Sequence, residues 1–190
     1  MSGETHLQPG TILDTLRELA ARVETPLWLF GGVAVDFLVG RWTRPHGDID
    51  LNAFEEDRAR LTRELTAIGY QTADTGWMTR WTQAATGREI EIVFLQRDAS
   101  GGAVLEIRRG ESIGIPGRYP MKHGYLDTDR WAELEGVRFR VSHPLGEWRA
   151  RMMGSGVVAS RAPSPKLEHD RRLLETLTSE AERRACMGDV

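Results

Sequence analysis

The stretch "LFGGVAVDFLVGRWTRPHGDIDL", residues 29–51, decides the fold prediction. A short apolar run, residues 27–30, ends at Gly31-Gly32, after which apolar residues return at helical spacing as far as Gly40. A second apolar run begins at Ile49 and continues to Phe54. The pattern predicts a strand, a glycine turn, a helix and a second strand.

Outward from this stretch, the chain alternates helical and extended patterns. We predict helices over residues 12–20, 55–68 and 145–153 and after Ser164-Pro165, strands over 76–82, 88–95, 104–107 and 137–141, and a loop over 110–122. This order predicts an α/β (α+β) fold with a small mixed sheet and flanking helices. Residues 1–142 should form the core, with residues 143–190 as a helical C-terminal segment packed on it.

Composition excludes several classes of function. The 190-residue chain has 25 Lys+Arg against 28 Asp+Glu, a net charge of −3, so it lacks the basic bias of a nucleic-acid-binding protein. Cys186 is the single cysteine, which excludes internal disulfides and fits a reducing, cytoplasmic setting. The sequence shows neither a secretory signal nor the roughly 20 apolar residues of a membrane helix, so we expect no membrane partner.

Asp48 and Asp50 are the first candidate functional residues. Side chains two apart on a strand point to the same face, so the two carboxylates should converge. Each would raise the pKa of the other unless a cation neutralised them, and Mg²⁺ is a hard cation that carboxylates and substrate phosphates bind together. A solvated acidic edge that discourages aggregation is the structural alternative.

A third acid should come from a neighbouring strand. Glu91 in "EIEIVFL" is favoured because it adjoins the apolar run, and Glu89 on the same face is the alternative. Gly31 and Gly32 open a helix whose backbone N–H groups could approach a phosphate. Metal and phosphate sites together indicate nucleotide chemistry.

The stretch also resembles a known family. Gly31-Gly32, Ala34, Asp36, Gly40, Thr43-Arg44, His46 and Asp48-Ile49-Asp50 match the signature of aminoglycoside 2''-adenylyltransferases and the related lincosamide nucleotidyltransferases, of the DNA polymerase β-like superfamily. A later "PK…D" feature, at Pro165, Lys166 and Asp170, extends the resemblance.

The resemblance implies a two-metal transfer of a nucleoside monophosphate, with AMP from ATP favoured, to a drug hydroxyl. Asp48, Asp50 and Glu91 would be the catalytic and Mg²⁺-binding residues, with Glu91 either a metal ligand or the general base. Gly31, Gly32, Arg44 and Lys166 would bind the nucleoside triphosphate.

Two classes of antibiotic fit as acceptor. An aminoglycoside is a polycation that an acidic groove would attract, and Asp127, Asp129, Glu133 and Glu135 could supply that charge. A lincosamide would prefer aromatic walls, for which the tryptophans are available. Tryptophans are more often core residues, but Trp77 and Trp81 could wall the acceptor site because they precede the strand that carries Glu91. The closer resemblance favours the aminoglycoside.

Structural roles and other functions stay open. His46 should order the loop before Asp48, Asp36 should support a buried donor, and Arg44 could pair with an acid instead of phosphate. Alternatives to drug modification are a toxin-like transfer to a protein or tRNA, against which the absence of a basic bias weighs, and a non-catalytic nucleotide-binding regulator. A homodimer that completes the drug cleft is compatible with this chain length.

Overall fold

The computed structural model describes residues 6–74, 76–107, 117–121, 124–126, 129–157 and 164–187. The helices are α1 (Pro9–Arg22), α2 (Gly31–Val39), α3 (Arg58–Ala67), α4 (Pro144–Val157), α5 (Pro165–Thr176) and α6 (Glu180–Met187), with a 3-10 turn at Glu55–Asp57. The strands are β1 (Trp28–Phe30), β2 (Asp50–Phe54), β3 (Tyr70–Gln71), β4 (Met78–Gln83), β5 (Glu89–Arg97), β6 (Ala103–Ile107), β7 (Gly117–Pro120), β8 (Trp131–Leu134) and β9 (Val137–Arg140).

Seven strands form one mixed sheet with the path β1-β2-β5-β4-β3, and β6 and β7 extend it from one end of β5. The β2–β5 pair is parallel, whereas β1–β2 and β4–β5 are antiparallel. Strands β8 and β9 form a separate hairpin. The predicted mixed sheet with flanking helices is therefore confirmed, and its central parallel pair carries the acids discussed below.

The main core fills the space between this sheet, α1, α2, α3 and the β8–β9 hairpin. Leu16, Leu29, Leu51 and Ile92 are fully buried within it. Leu51 and Ile92 come from the apolar runs of the central strands β2 and β5, because a central strand buries side chains on both of its faces.

The C-terminal helices pack on α2 through a smaller apolar cluster. Val35 of α2, Trp148 of α4 and Leu174 of α5 are buried against one another. Ser164 caps α5 by accepting a hydrogen bond from the Leu167 N–H, and Pro165 occupies its first turn, as the sequence predicted. The division into residues 1–142 and 143–190 stays a prediction.

Several elements differ from the prediction. Gly117–Pro120 forms β7 beside β6, so the loop prediction is wrong there, while residues 110–116 and 122 lie outside the described part. The alternating exposure of β7 residues explains the error, since a short strand at the sheet edge carries little apolar signal. The prediction also missed β3, β8 and α6. No helix within the described ranges is long and apolar enough to cross a membrane.

Candidate active site

The acidic cluster forms where β2 and β5 lie side by side. Asp50 is the first residue of β2, and its register partner across the parallel pair is Glu91 of β5. Asp48 lies just before β2, not within it as predicted, because the strand begins two residues later. Even so, one oxygen from each of Asp48, Asp50 and Glu91 lies within 4.8 Å of the others, so the three carboxylates converge as a set that could hold a metal ion.

Glu89, the alternative third acid, points to the same face but lies one step further along β5. Its carboxylate accepts a hydrogen bond from the Thr82 hydroxyl at 3.3 Å, and Thr82 is its register partner on β4. Glu91 is thus the glutamate of this strand that joins the two aspartates.

The electrostatics of the cluster favour a bound cation. Desolvation of the Asp50 carboxyl group, and then the charges of Asp48, Glu91 and Glu147, hold its pKa well above the ordinary range, while Arg151 opposes the shift. A carboxyl group in this setting either keeps a proton or shares a cation with its neighbours. Three convergent oxygen ligands, with Asp48 exposed to solvent, suit a hard divalent ion such as Mg²⁺.

The glycine pair packs directly against the functional side chains. Gly31 has φ +74°, and a Cβ built there would lie 2.2 Å from Oδ2 of Asp50. A Cβ on Gly32 would lie 2.1 Å from Nη2 of Arg44. Both positions require glycine because two side chains occupy the space that a methyl group would fill. The predicted phosphate contacts of Gly31 and Gly32 at the start of α2 remain a prediction.

Asp36 and His46 hold the loop that leads to Asp48. The buried Asp36 carboxylate accepts hydrogen bonds from the Thr43 N–H at 3.2 Å and the Thr43 hydroxyl at 2.5 Å. Its other oxygen lies 2.6 Å from Nε2 of the buried His46. The structural roles predicted for Asp36 and His46 are confirmed by these contacts.

Arg44 makes a two-point ion pair with Asp170 of α5. Its Nε and Nη2 each donate to one carboxylate oxygen at 2.9 Å, and Nη1 donates to the Pro45 carbonyl at 3.1 Å. Burial opposes ionisation of Asp170, but the Arg44 hydrogen bond and the charges of Arg151 and Arg44 hold its pKa below the usual range. The structure therefore shows the ion pairing that the sequence left open for Arg44, and phosphate binding by Arg44 stays a prediction.

Lys166 lies exposed on the first turn of α5, one turn before Asp170. Its predicted contact with the triphosphate likewise stays a prediction.

Glu147 is a buried acid of this region that the sequence pattern did not single out. It is fully buried on α4 and accepts a hydrogen bond from the Gly31 N–H at 3.1 Å, across 116 residues of chain. Its i,i+4 pairing with Arg151 is the common pattern of a solvated helix surface, so local sequence gave no signal. The "PK…D" feature did point to Asp170, which links Arg151 to Arg44.

The aromatic residues proposed as drug walls have different environments. Trp81 belongs to the main core, with its indole N–H donating to the Thr79 hydroxyl at 2.8 Å, so the favoured core role is confirmed for Trp81 and the alternative place in a drug wall is wrong. Trp77 is half-buried against the second apolar cluster, around Phe54 and Leu95. Arg80, the residue before Trp81, contacts Oε1 of Glu91 through both Nε and Nη2.

The acids proposed as an aminoglycoside groove lie at the β8–β9 hairpin. Glu133 lies in β8, and Glu135 lies in the turn between β8 and β9, where it accepts a hydrogen bond from the Trp42 indole at 2.9 Å. Asp129 lies just before β8, and Asp127 lies outside the described residues. Their role in drug binding stays a prediction.

Solved structures of similar fold place this architecture in a known class. A lincosamide antibiotic adenylyltransferase, LnuA, solved with lincomycin bound, has a TM-score of 0.64 at 16% identity over 92% of this chain and 100% of its own. ANT(2'')-Ia in complex with adenylyl-2''-tobramycin has a TM-score of 0.66 at 18% identity over 93% and 94% of the two chains. The fold is that of the antibiotic nucleotidyltransferases.

Sequence comparison identifies the family. The aminoglycoside-2''-adenylyltransferase family model matches residues 11–143, more than half of the chain, so the protein belongs to that family. A 2''-aminoglycoside nucleotidyltransferase from Klebsiella pneumoniae is 37% identical over 59 residues, and one from Escherichia coli matches equally. These alignments span 31% of this chain and 33% of each relative.

Proposed function

We propose that the protein transfers a nucleoside monophosphate, AMP from ATP, to a hydroxyl group of an aminoglycoside in a Mg²⁺-dependent reaction that inactivates the drug. The observation that carries the proposal is the convergence of Asp48, Asp50 and Glu91 at the parallel β2–β5 pair, in a member of this family. Use of ATP agrees with a cytoplasmic location.

The three acids divide the chemistry by position. Asp48 and Asp50 would hold Mg²⁺, which when bound offsets the negative charge of the triphosphate at the reacting phosphorus. Glu91 would complete the ligand set or accept the proton of the attacking hydroxyl. Its contact with Arg80 orients the Glu91 carboxylate.

The aminoglycoside is preferred because the family model and the relatives that match in sequence are of the 2''-aminoglycoside type. A lincosamide is the second candidate, supported by the structural similarity to the lincomycin-bound enzyme. A homodimer would add a wall to the drug cleft.

Pyrophosphate release tests the reaction. Purified protein is incubated with Mg²⁺, each of the four common nucleoside triphosphates, and a panel of aminoglycosides and lincosamides. We expect release with ATP and an aminoglycoside, a drug product heavier by one adenylyl group, and loss of both in EDTA and in Asp50→Asn. Asp14→Asn, which changes an exposed acid of α1 paired with Arg17, is the matched control and should retain full activity.

Each result points to one function. Release with lincosamides alone would reassign the acceptor. ATP binding without release for any drug would contradict the proposal and favour a macromolecular acceptor or a regulator. Release that persists in Asp50→Asn would show that the acidic cluster is not the reaction centre.

A further inference from the structure

Glu147 is a completely enclosed carboxylate with four donors. Oε1 accepts hydrogen bonds from the Tyr125 hydroxyl at 2.8 Å and from the Ser142 hydroxyl. Oε2 accepts from the Gly31 N–H at 3.1 Å and from Nη1 of Arg151. Each oxygen thus has two donors, which offsets the large cost of removing the charge from water.

The Gly31 bond connects Glu147 to the metal site. Gly31 follows Phe30, whose register partner on the neighbouring strand is Asp50. A Cβ at Gly31 would overlap Oδ2 of Asp50 at 2.2 Å, so the backbone of this turn already limits where that carboxylate can lie. Any shift of Gly31 toward or away from β2 changes the space available to Asp50.

We propose that Glu147 is a positioning residue for the metal site: through its hydrogen bond to the Gly31 N–H, it fixes the turn against which the Asp50 carboxylate rests. The proposal rests on the proposed function, because it assigns Asp50 to the metal. Glu147 itself does not ligate the cation, since both of its oxygens are engaged by donors.

The arrangement predicts that geometry matters more than charge at this position. A glutamine can keep its carbonyl oxygen toward the Gly31 N–H and Arg151, while its NH₂ group donates to the Tyr125 and Ser142 hydroxyls, which can also accept. An aspartate keeps the charge, but its shorter side chain withdraws the oxygens from the Gly31 N–H. The two variants therefore separate position from charge.

Electron paramagnetic resonance of Mn²⁺ bound to the full chain, without nucleotide or drug, tests this inference. Residues outside a metal's ligand set typically change metal affinity by about 10–100-fold when they lose their contact. We expect the Mn²⁺ dissociation constant to rise by about that factor in Glu147→Asp. In Glu147→Gln it should stay close to the wild-type value.

Leu174→Ala serves as the matched structural control. It removes a buried side chain from the cluster that packs α5 on α2 and α4, so it loosens the same helices without touching Gly31. We expect Leu174→Ala to lower the melting temperature while Mn²⁺ affinity stays that of the wild type, with circular dichroism confirming that every variant is folded at the assay temperature.

The outcomes separate the two proposals. Equal Mn²⁺ affinity in the wild type and both Glu147 variants would overturn the positioning role, as would weakening in Glu147→Gln but not Glu147→Asp. Equal weakening in Leu174→Ala and Glu147→Asp would reduce Glu147 to a stabilising residue. Absence of Mn²⁺ binding in the wild type would overturn both this inference and the metal chemistry of the proposed function. If the Mn²⁺ affinities follow the expected order but the protein modifies no drug, only the proposed function is overturned.

Discussion

Replacing Gly31 by alanine should damage the metal site far more than the fold. The added Cβ would lie 2.2 Å from Oδ2 of Asp50, whereas an ordinary contact begins near 3.4 Å, so the carboxylate must retreat by about 1.2 Å or the turn must open. Misplacing a reacting group by about 1 Å can cost about 100-fold in rate. We therefore expect Gly31→Ala to lower the rate of pyrophosphate release by about 100-fold and to weaken Mn²⁺ binding.

The stability cost of this substitution can be matched by a second glycine. Gly31 and Gly40 have φ values of +74° and +71°, so alanine at either position pays about 1–2 kcal/mol for the left-handed conformation. For a chain of this size that corresponds to a fall in melting temperature of about 2–8 °C. A Cβ at Gly40, however, meets nothing within 4 Å.

Gly40→Ala should therefore share most of the stability loss and keep the activity. The assays are thermal unfolding by circular dichroism, Mn²⁺ titration and pyrophosphate release, run on both variants side by side. A similar loss of activity in both variants would show that backbone strain alone explains the effect, and full activity in Gly31→Ala would refute the claim that this turn sets the position of Asp50.

Three further predictions concern charged groups. First, the pKa of Asp50 is raised, so the metal-free folded state retains a proton that the unfolded chain releases. The stability that this protonated group contributes is present below the ordinary carboxyl pKa and is lost as the pH rises through the raised pKa. In EDTA at neutral pH, Asp50→Asn should melt higher than the wild type, and the gap should close as the pH falls toward that range; a gap that does not change with pH would contradict the shift. Second, Asp170→Asn leaves Arg44 and Arg151 without their shared partner and should cost about 3–5 kcal/mol in urea unfolding. Asp14→Asn at an exposed pair should cost at most about 1 kcal/mol, and equal losses would refute the assignment of a buried ion pair. Third, Arg80 and a cation compete for Oε1 of Glu91. Arg80→Met should therefore tighten Mg²⁺ binding by up to about fivefold, the factor that corresponds to an exposed ion pair of about 1 kcal/mol. Weaker Mg²⁺ binding, measured by calorimetry, would refute this competition.

The sequence predicted the part of the site that local patterns encode. Side-chain alternation along β5, combined with the apolar run that follows Glu91, was enough to choose the glutamate that joins the aspartates. The glycine pair was also identified, although the reason visible in the structure is the close approach of Asp50 and Arg44.

The rest of the site depends on tertiary contacts that no local pattern records. The Glu147 bond to Gly31 spans 116 residues, and the Arg44 pair with Asp170 spans 126. An acid four residues before an arginine on a helix gives the same pattern whether the pair is solvated or buried, so only the packing of α4 against the glycine turn distinguishes the two. Strand β7 was missed for a related reason, since pairing with β6 and not its own composition makes it a strand.

The burial of Glu147 beside the acidic cluster has a consequence for where a cation binds. Its charge adds to the repulsion felt by Asp50, which without compensation would favour a proton on that carboxyl group. Arg151 offsets part of this repulsion from the buried side, and its bonds to Glu147 and Asp170 hold it there. The four donors around Glu147 occupy both of its oxygens, so the convergent oxygens of Asp48, Asp50 and Glu91 are left to bind a cation, and solvent reaches them at the exposed Asp48. In the proposed reaction, metal and nucleotide would then enter from the solvent side at Asp48, while α4 and α5 hold Arg151 in place through Glu147 and Asp170.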